Sequence, residues 1–120
     1  MSDLVFRVES LLSAVDGIDK VLRHEQFDYI TEHERPLDVN WGQLLLLEEQ
    51  GMLQVVTARE GGARIVGYAV HLIIPHHHYK MLVAFDDFYY MSAAFRGEGN
   101  GRKLIEFAEQ KLRERGVDRI

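Results

Sequence analysis

The chain has 120 residues, enough for one domain with a core of its own and too few for two. Hydrophobic residues make up 47%, charged residues 28% and prolines number 2, which argues against disorder, collagen-like repeats and low complexity. Acidic residues outnumber basic ones 19 to 14, a net charge of -5 that disfavours nucleic-acid binding, and the lack of cysteine removes disulfides, thiolate metal sites and a cysteine nucleophile. The opening Met1-Ser2-Asp3-Leu4-Val5-Phe6-Arg7 lacks the basic segment followed by an apolar run that a secretory signal needs, and none is expected. The longest apolar stretches, such as Leu44-Leu45-Leu46-Leu47, fall far short of the ~20 residues that span a bilayer, and the expected compartment is the cytoplasm.

From Glu9 to Tyr29, apolar residues at Leu11, Leu12, Val15, Ile18, Val21 and Leu22 recur at spacings of three and four and predict an amphipathic helix. Gly17 is its weak point, because a helix-interior Gly costs about 1 kcal/mol against Ala. Thr31 to Pro36 is polar and ends in a residue that cannot continue a helix, so it reads as a loop. A second helix begins near Asp38 or Asn40, runs through Trp41, Leu44, Leu45 and Glu48, and stops at Gly51.

Beyond Gly51 the period drops from 3.6 toward 2. Leu53 to Ala58 and Arg64 to Leu72 are rich in β-branched and aromatic residues, with Glu60-Gly61-Gly62 as the turn between them, and predict an antiparallel hairpin. Pro75 ends the second strand, His76 to Lys80 forms a polar connection, and Phe85 to Ser92 reads as another strand. Arg96-Gly97-Glu98-Gly99-Asn100-Gly101 is a glycine-rich turn. A helix follows it, with Leu104, Ile105, Ala108 and Leu112 on its apolar stripe and Gly116 at its end. Val117 to Ile120 alternates as a short strand does at its start; alternatively the sheet is completed by a C-terminal part that this chain lacks, or by another chain.

Strand, glycine-rich turn and helix together make an anion site. Glycines let backbone approach a phosphate, successive N–H groups converge on its oxygens, and the helix dipole favours the negative charge. Arg96 and Arg102 bracket the turn and suit charge-assisted bonds to phosphate. The P-loop pattern fails, because Arg102-Lys103-Leu104 stands where Gly-Lys and a hydroxyl residue are required. A dinucleotide fingerprint fails as well, since Arg102 occupies the position of its third glycine.

The run from Phe88 to Ile105, with Arg96, Gly99 and Gly101 in a pattern of Gln or Arg, two residues, Gly, one residue, Gly or Ala, resembles the central motif of the GNAT (GCN5-related N-acetyltransferase) superfamily. The order of helices, hairpin, strand, loop and helix is similar as well, and small bacterial and phage-encoded members look closest. The resemblance implies an α/β fold whose mixed, mostly antiparallel sheet is flanked by helices, here expected over residues 1–120 without the family's C-terminal strands. It implies acetyl-CoA as co-substrate, with the pantetheine arm on backbone groups of Met91 and Ser92. The pyrophosphate would lie on amides of Gly97, Gly99, Asn100, Gly101 and Arg102, with Arg96 opening the loop and the Glu98 side chain pointing outward.

The reaction so implied is attack of a neutral primary amine on the thioester, assisted by a carboxylate that takes its proton directly or through water. Many members of the family carry a Glu on the fourth strand, four residues before its last apolar position, and Asp87 stands there. Strict alternation would group Asp87 with Tyr89 and Met91 and put Asp86 on the other face with Phe88 and Tyr90. Glu34 is the competing acid, in the loop that usually forms the acceptor wall, although a solvated loop charge is its commoner role. The general acid that reprotonates the thiolate is commonly a Tyr beyond the point where this chain ends. A catalytically silent acyl-CoA-binding or dimerising module is the alternative reading.

His76-His77-His78 does not make a metal site, because neighbouring side chains alternate in direction, and no metal is expected. Trp41 and the Tyr89-Tyr90 pair are candidates for substrate contact that more often serve as packing. An unpaired last strand would favour a homodimer with exchanged C-terminal elements.

Overall fold

A computed structural model describes residues 3–23, 39–76 and 79–120. Four strands form one antiparallel sheet in the order β1 (Leu4–Glu9), β2 (Leu53–Glu60), β3 (Arg64–Pro75) and β4 (Leu82–Met91). Helices α1 (Leu11–Val21) and α2 (Trp41–Glu49) cover one face, and α3 (Asn100–Glu114) covers the other. The family's mixed, mostly antiparallel arrangement is therefore present: the single parallel element among the described residues is a bridge between Val83 and Arg119 at the outer edge of β4. Ala84 N–H donates to Arg119 O at 2.8 Å and Asp118 N–H to Leu82 O at 2.9 Å, so the expected terminal strand begins there.

Strand β1 was not anticipated. Its Leu4 and Phe6 pack toward α3, whereas Val5 and Val8 stay 37% and 45% exposed, the mixed pattern of an edge strand whose outer face is not sealed. Its last residue is tied firmly to β2. Arg59 donates from Nε to Glu9 Oε2 at 2.7 Å and from Nη2 to Oε1 at 2.8 Å, and Thr57 Oγ1 donates to the same carboxylate. The Arg59 guanidinium holds the Glu9 pKa down to about 2 against the partial burial that would raise it.

Helix α1 starts where Ser10 accepts a hydrogen bond from Ser13 N–H, and it buries Leu11, Ala14, Ile18 and Val21 against the sheet. Leu12, expected on that face, is 72% exposed, one step round the helix from the buried stripe. Gly17 has a positive role here. A Cβ at that position would stand 2.7 Å from Ile65 Cδ1, so the residue that weakens the isolated helix is the one that lets α1 approach β3. Asn40 caps α2 by accepting from Gln43 N–H at 3.0 Å, and Trp41, Leu44, Leu45 and Leu47 lean on the same core as α1. Leu11 N–H donates to Glu48 Oε2 at 2.7 Å, so a carboxylate of one helix caps the start of the other.

The hairpin turn lies at Gly61-Gly62 as expected, but β3 continues three residues past Leu72 and β4 begins at Leu82 rather than Phe85. The two extensions support each other. Ile73, Ile74 and Pro75 pair with Ala84, Val83 and Leu82, and this end of the sheet closes on Leu112 and Val117.

Candidate active site

Strand β4 stops at Met91 because Ser92 turns into a single 3-10 turn, Ala93–Phe95. Arg96 is extended, and Gly97, Glu98 and Gly99 then take φ values of 99°, 53° and 75° in succession before α3 begins at Asn100. Two of these three left-handed positions are glycines, the residue type that adopts them without strain, and Glu98 between them keeps its side chain exposed. A Cβ at Gly97 or Gly99 would meet no heavy atom within 4 Å, so the outer side of the loop is open. Helix α3 has no side-chain cap at Gly99 and no acid in its first turn. Arg102 and Lys103 stand there instead, cations at the positive end of a helix dipole where an anion would be favoured.

The loop is braced from inside. Arg96 donates from Nε to Met91 O at 2.8 Å, and its guanidinium lies 5.1 Å from the centre of the Tyr90 ring. Asn100 donates from Nδ2 to Phe95 O at 2.9 Å, and its N–H donates to Gly97 O at 3.1 Å. Arg96 and Asn100 are thus engaged with the strand end and the turn, and the amide of Asn100 faces the loop rather than a ligand. Gly101 lies against β4, since a Cβ there would come within 2.8 Å of Tyr89 Oη.

Ser92 also departs from expectation. Its N–H donates to Val66 O at 2.8 Å and so closes the β3–β4 ladder. Because Gly67 pairs with Met91 between that bond and the Tyr68–Tyr90 pair, the peptide groups of Met91 and Tyr89 point away from β3, toward the outer edge of β4. Tyr89, not Ser92, is therefore the neighbour of Met91 along the edge, and counting back by two from Met91 identifies it. Tyr89, Met91, Arg96, Gly97, Gly99 and Gly101 surround a hollow of about 270 Å³.

The second part of the site depends on a bulge. Val70 pairs with Phe88 and His71 pairs with Asp86, which leaves Asp87 with no residue opposite. The extra residue resets the alternation: Asp86 falls on the α3 face with Tyr89 and Met91, and Asp87 joins Phe88 on the α1/α2 face. The grouping that strict alternation predicts is thus reversed for these two carboxylates. Asp87 stands at the mouth of a hollow of about 350 Å³ with Leu22, Val39, Asn40, Gln43 and Leu44 around it. Partial desolvation against those walls pushes its carboxyl above the usual range. Glu34, the other candidate acid, lies outside the described residues.

Trp41 packs on the core, and Tyr90 meets Tyr68 with ring centres 6.4 Å apart. The His76 ring lies tilted beside that of Tyr79, with centres 5.1 Å apart, and His77 and His78 lie outside the described residues. No three His, Asp or Glu side chains gather as a metal set among the described residues. No helix among them is long and apolar enough to cross a membrane.

Solved structures with this architecture include an aminoglycoside acetyltransferase from an uncultured soil metagenomic sample. It matches with a TM-score of 0.75 and 17% identity over 97% of this chain and 74% of its own. An acetyltransferase of Trypanosoma brucei matches at 0.71 and 23% identity, covering 98% and 80% of the two chains. A ribosomal-protein-alanine N-acetyltransferase of Brucella melitensis biovar Abortus 2308 matches at 0.73 and 17%, covering 98% and 77%. Curated protein sequences give no match. At these identities the structures speak for the fold alone; the sequence itself matches the acetyltransferase (GNAT) family over residues 18–120. With the glycine loop, the braced strand end and the bulged β4 all inside the matched region, this chain belongs to the GNAT acetyltransferase family.

Proposed function

We propose that this protein transfers an acetyl group from acetyl-CoA to a primary amine by direct attack on the thioester. The observation that carries the reading is the double use of β4: its outer edge presents peptide groups beside the open glycine loop, and its bulge turns a carboxylate into a separate hollow. On this reading the amides of Gly97, Gly99, Gly101 and Arg102 hold the pyrophosphate, and the edge groups of Tyr89 together with the Met91 N–H align the pantetheine arm. Arg96 and Asn100 act indirectly, by holding the loop in the shape that aims those amides.

Acetyl-CoA supplies the activated acyl carbon and the thiolate leaving group. Asp87 takes the proton of an arriving ammonium, so that the nitrogen lone pair is free to attack; its raised pKa makes it a better proton acceptor than an ordinary Asp. The C–N bond then forms as the C–S bond breaks, and the proton that the nitrogen sheds on becoming an amide passes to the departing thiolate. The proposed compartment is the cytoplasm.

Calorimetry and thermal unfolding test the first half. Acetyl-CoA at a hundred times its dissociation constant adds about 2.7 kcal/mol to stability, a shift of several degrees for a domain of this size. Gly99→Glu, which sets a carboxylate against the pyrophosphate, abolishes that shift. Release of the CoA thiol with a panel of amines tests the second half. Aminoglycosides and ribosomal-protein alanine, the acceptors in the names of two structural neighbours, belong in that panel beside polyamines and lysine. Binding without thiol release for any amine would favour the silent acyl-CoA-binding module, and absence of binding would refute both.

A further inference from the structure

One histidine carries no sequence signal comparable to the three consecutive histidines at 76 to 78. His71 lies inside β3, is 1% exposed, and faces α3 beside Gln54 of β2, whose Nε2 donates to Ala108 O of that helix at 3.0 Å. His71 Nε2 stands 2.6 Å from Asp86 Oδ1, although the Asp86 side chain is 69% exposed. Neither ring nitrogen has a hydrogen-bond partner of good angle, so the contact is one of close approach across the ladder. Burial lowers the His71 pKa, against the opposing pull of Asp86 and of Glu109 on α3.

This contact sits at the register shift. The bulge falls between Val70 and His71, and on the partner strand the pair His71–Asp86 is the first that follows it. Two acidic residues are adjacent there, and a strand can place its extra residue at either. If Asp86 were the residue left unpaired, Asp87 would fall opposite His71 on the α3 face and Asp86 would turn to the acceptor side, because a slip of one residue moves a side chain to the other face. A buried imidazole that holds Asp86 on the α3 side selects between the two.

We propose that His71 is a positioning residue, whose buried ring holds Asp86 across the β3–β4 ladder and so fixes the bulge in the register that turns Asp87 into the hollow between β4, α1 and α2. The proposal rests on the reading of Asp87 as the proton acceptor for its catalytic consequence, but the register itself is measurable without catalysis.

The test is a carboxyl-carbon NMR titration of aspartate-labelled protein, with Asp87→Asn used to assign the signal. In the wild type, Asp87 titrates above the ordinary Asp range. In His71→Leu and in Asp86→Ala the elevated titration of Asp87 is lost, and in His71→Leu it passes to Asp86. His71→Gln, which places an amide N–H near the position of Nε2, keeps the wild-type pattern. Asp86→Ala changes an exposed side chain, so it remains readable if His71→Leu fails to fold. In turnover, His71→Leu lowers kcat about tenfold or more with the KM for acetyl-CoA unchanged, and His71→Gln restores it. An Asp87 titration identical in wild type, His71→Leu and Asp86→Ala would overturn the proposal. Because the titration reads the register directly, a wild-type chain that acetylates no amine would count against the acetyl-transfer reading alone.

Discussion

Glu9→Gln removes the anion that joins β1 to β2, and its effect can be worked out from the structure. The carboxylate is lowered from 4.5 to about 2 by the Arg59 guanidinium, with Thr57 and Ser13 as further donors. Its side chain is 9% exposed and that of Arg59 18%, so solvent screens the pair only weakly. A depressed folded-state pKa means that the ionised form is preferentially stabilised by folding. The contribution is therefore present above the unfolded pKa and is lost as pH falls toward the folded one. At about 1.36 kcal/mol per unit, the shift corresponds to roughly 3 kcal/mol near pH 6, of which about 2 kcal/mol is gone by pH 3. Urea unfolding of wild type and Glu9→Gln across that pH range isolates the effect, because titrations common to both proteins cancel in the difference. The variant is less stable near neutrality, and the gap narrows by about 2 kcal/mol on acidification. A gap that stays constant with pH would show that Arg59 does not stabilise the Glu9 anion in the fold, and a gap that widens would reverse the sign of the argument.

Three further outcomes follow from the geometry. Gly17→Ala, which sets a Cβ 2.7 Å from Ile65 Cδ1, costs about 1–3 kcal/mol despite the better helix propensity of Ala, and gains stability only if α1 does not pack as closely as described. Gly99→Ala meets no neighbour within 4 Å but must hold a φ of 75°; it loses roughly 1–2 kcal/mol by chemical unfolding and weakens acetyl-CoA binding by calorimetry. Asp87→Asn lowers turnover by about 10²–10⁴ with acetyl-CoA affinity unchanged. In the wild type, the acid limb of the rate profile falls as pH drops through a value above the ordinary Asp range, and a limb at that ordinary value would remove Asp87 from the role.

The glycine loop was legible because its signal is local: glycines at fixed spacing between a strand and a helix leave few alternatives. Edge strand β1 was not, because Leu4-Val5-Phe6-Arg7-Val8-Glu9 has no clean period of two and owes its existence to pairing with the distant β2, Leu4 with Glu60 through Glu9 with Val55. Gly17 was legible as a weakness of α1 and illegible as a contact, since Ile65 lies on another element. The faces of Asp86 and Asp87 were read wrongly for a similar reason. Alternation is a rule for unbroken ladders, and the bulge that breaks this one is set across two strands, at a histidine whose importance no local pattern announces.

An edge strand with outward peptide groups is ordinarily a liability, open to pairing with any other chain. In β4 that exposure has a limited extent. The Leu82 end is closed by hydrogen bonds to the Asp118 and Arg119 backbone, while at the other end the Met91 carbonyl is taken by Arg96. Between those ends lies the bulge, which twists the strand away from flat pairing with a neighbour. An extended amide-bearing ligand can satisfy such a stretch where a second straight strand cannot, and the glycine loop at its end favours a ligand that carries phosphate. The irregularity that turns Asp87 into the hollow beside α1 and α2 therefore also protects the edge on which the acyl donor is proposed to lie.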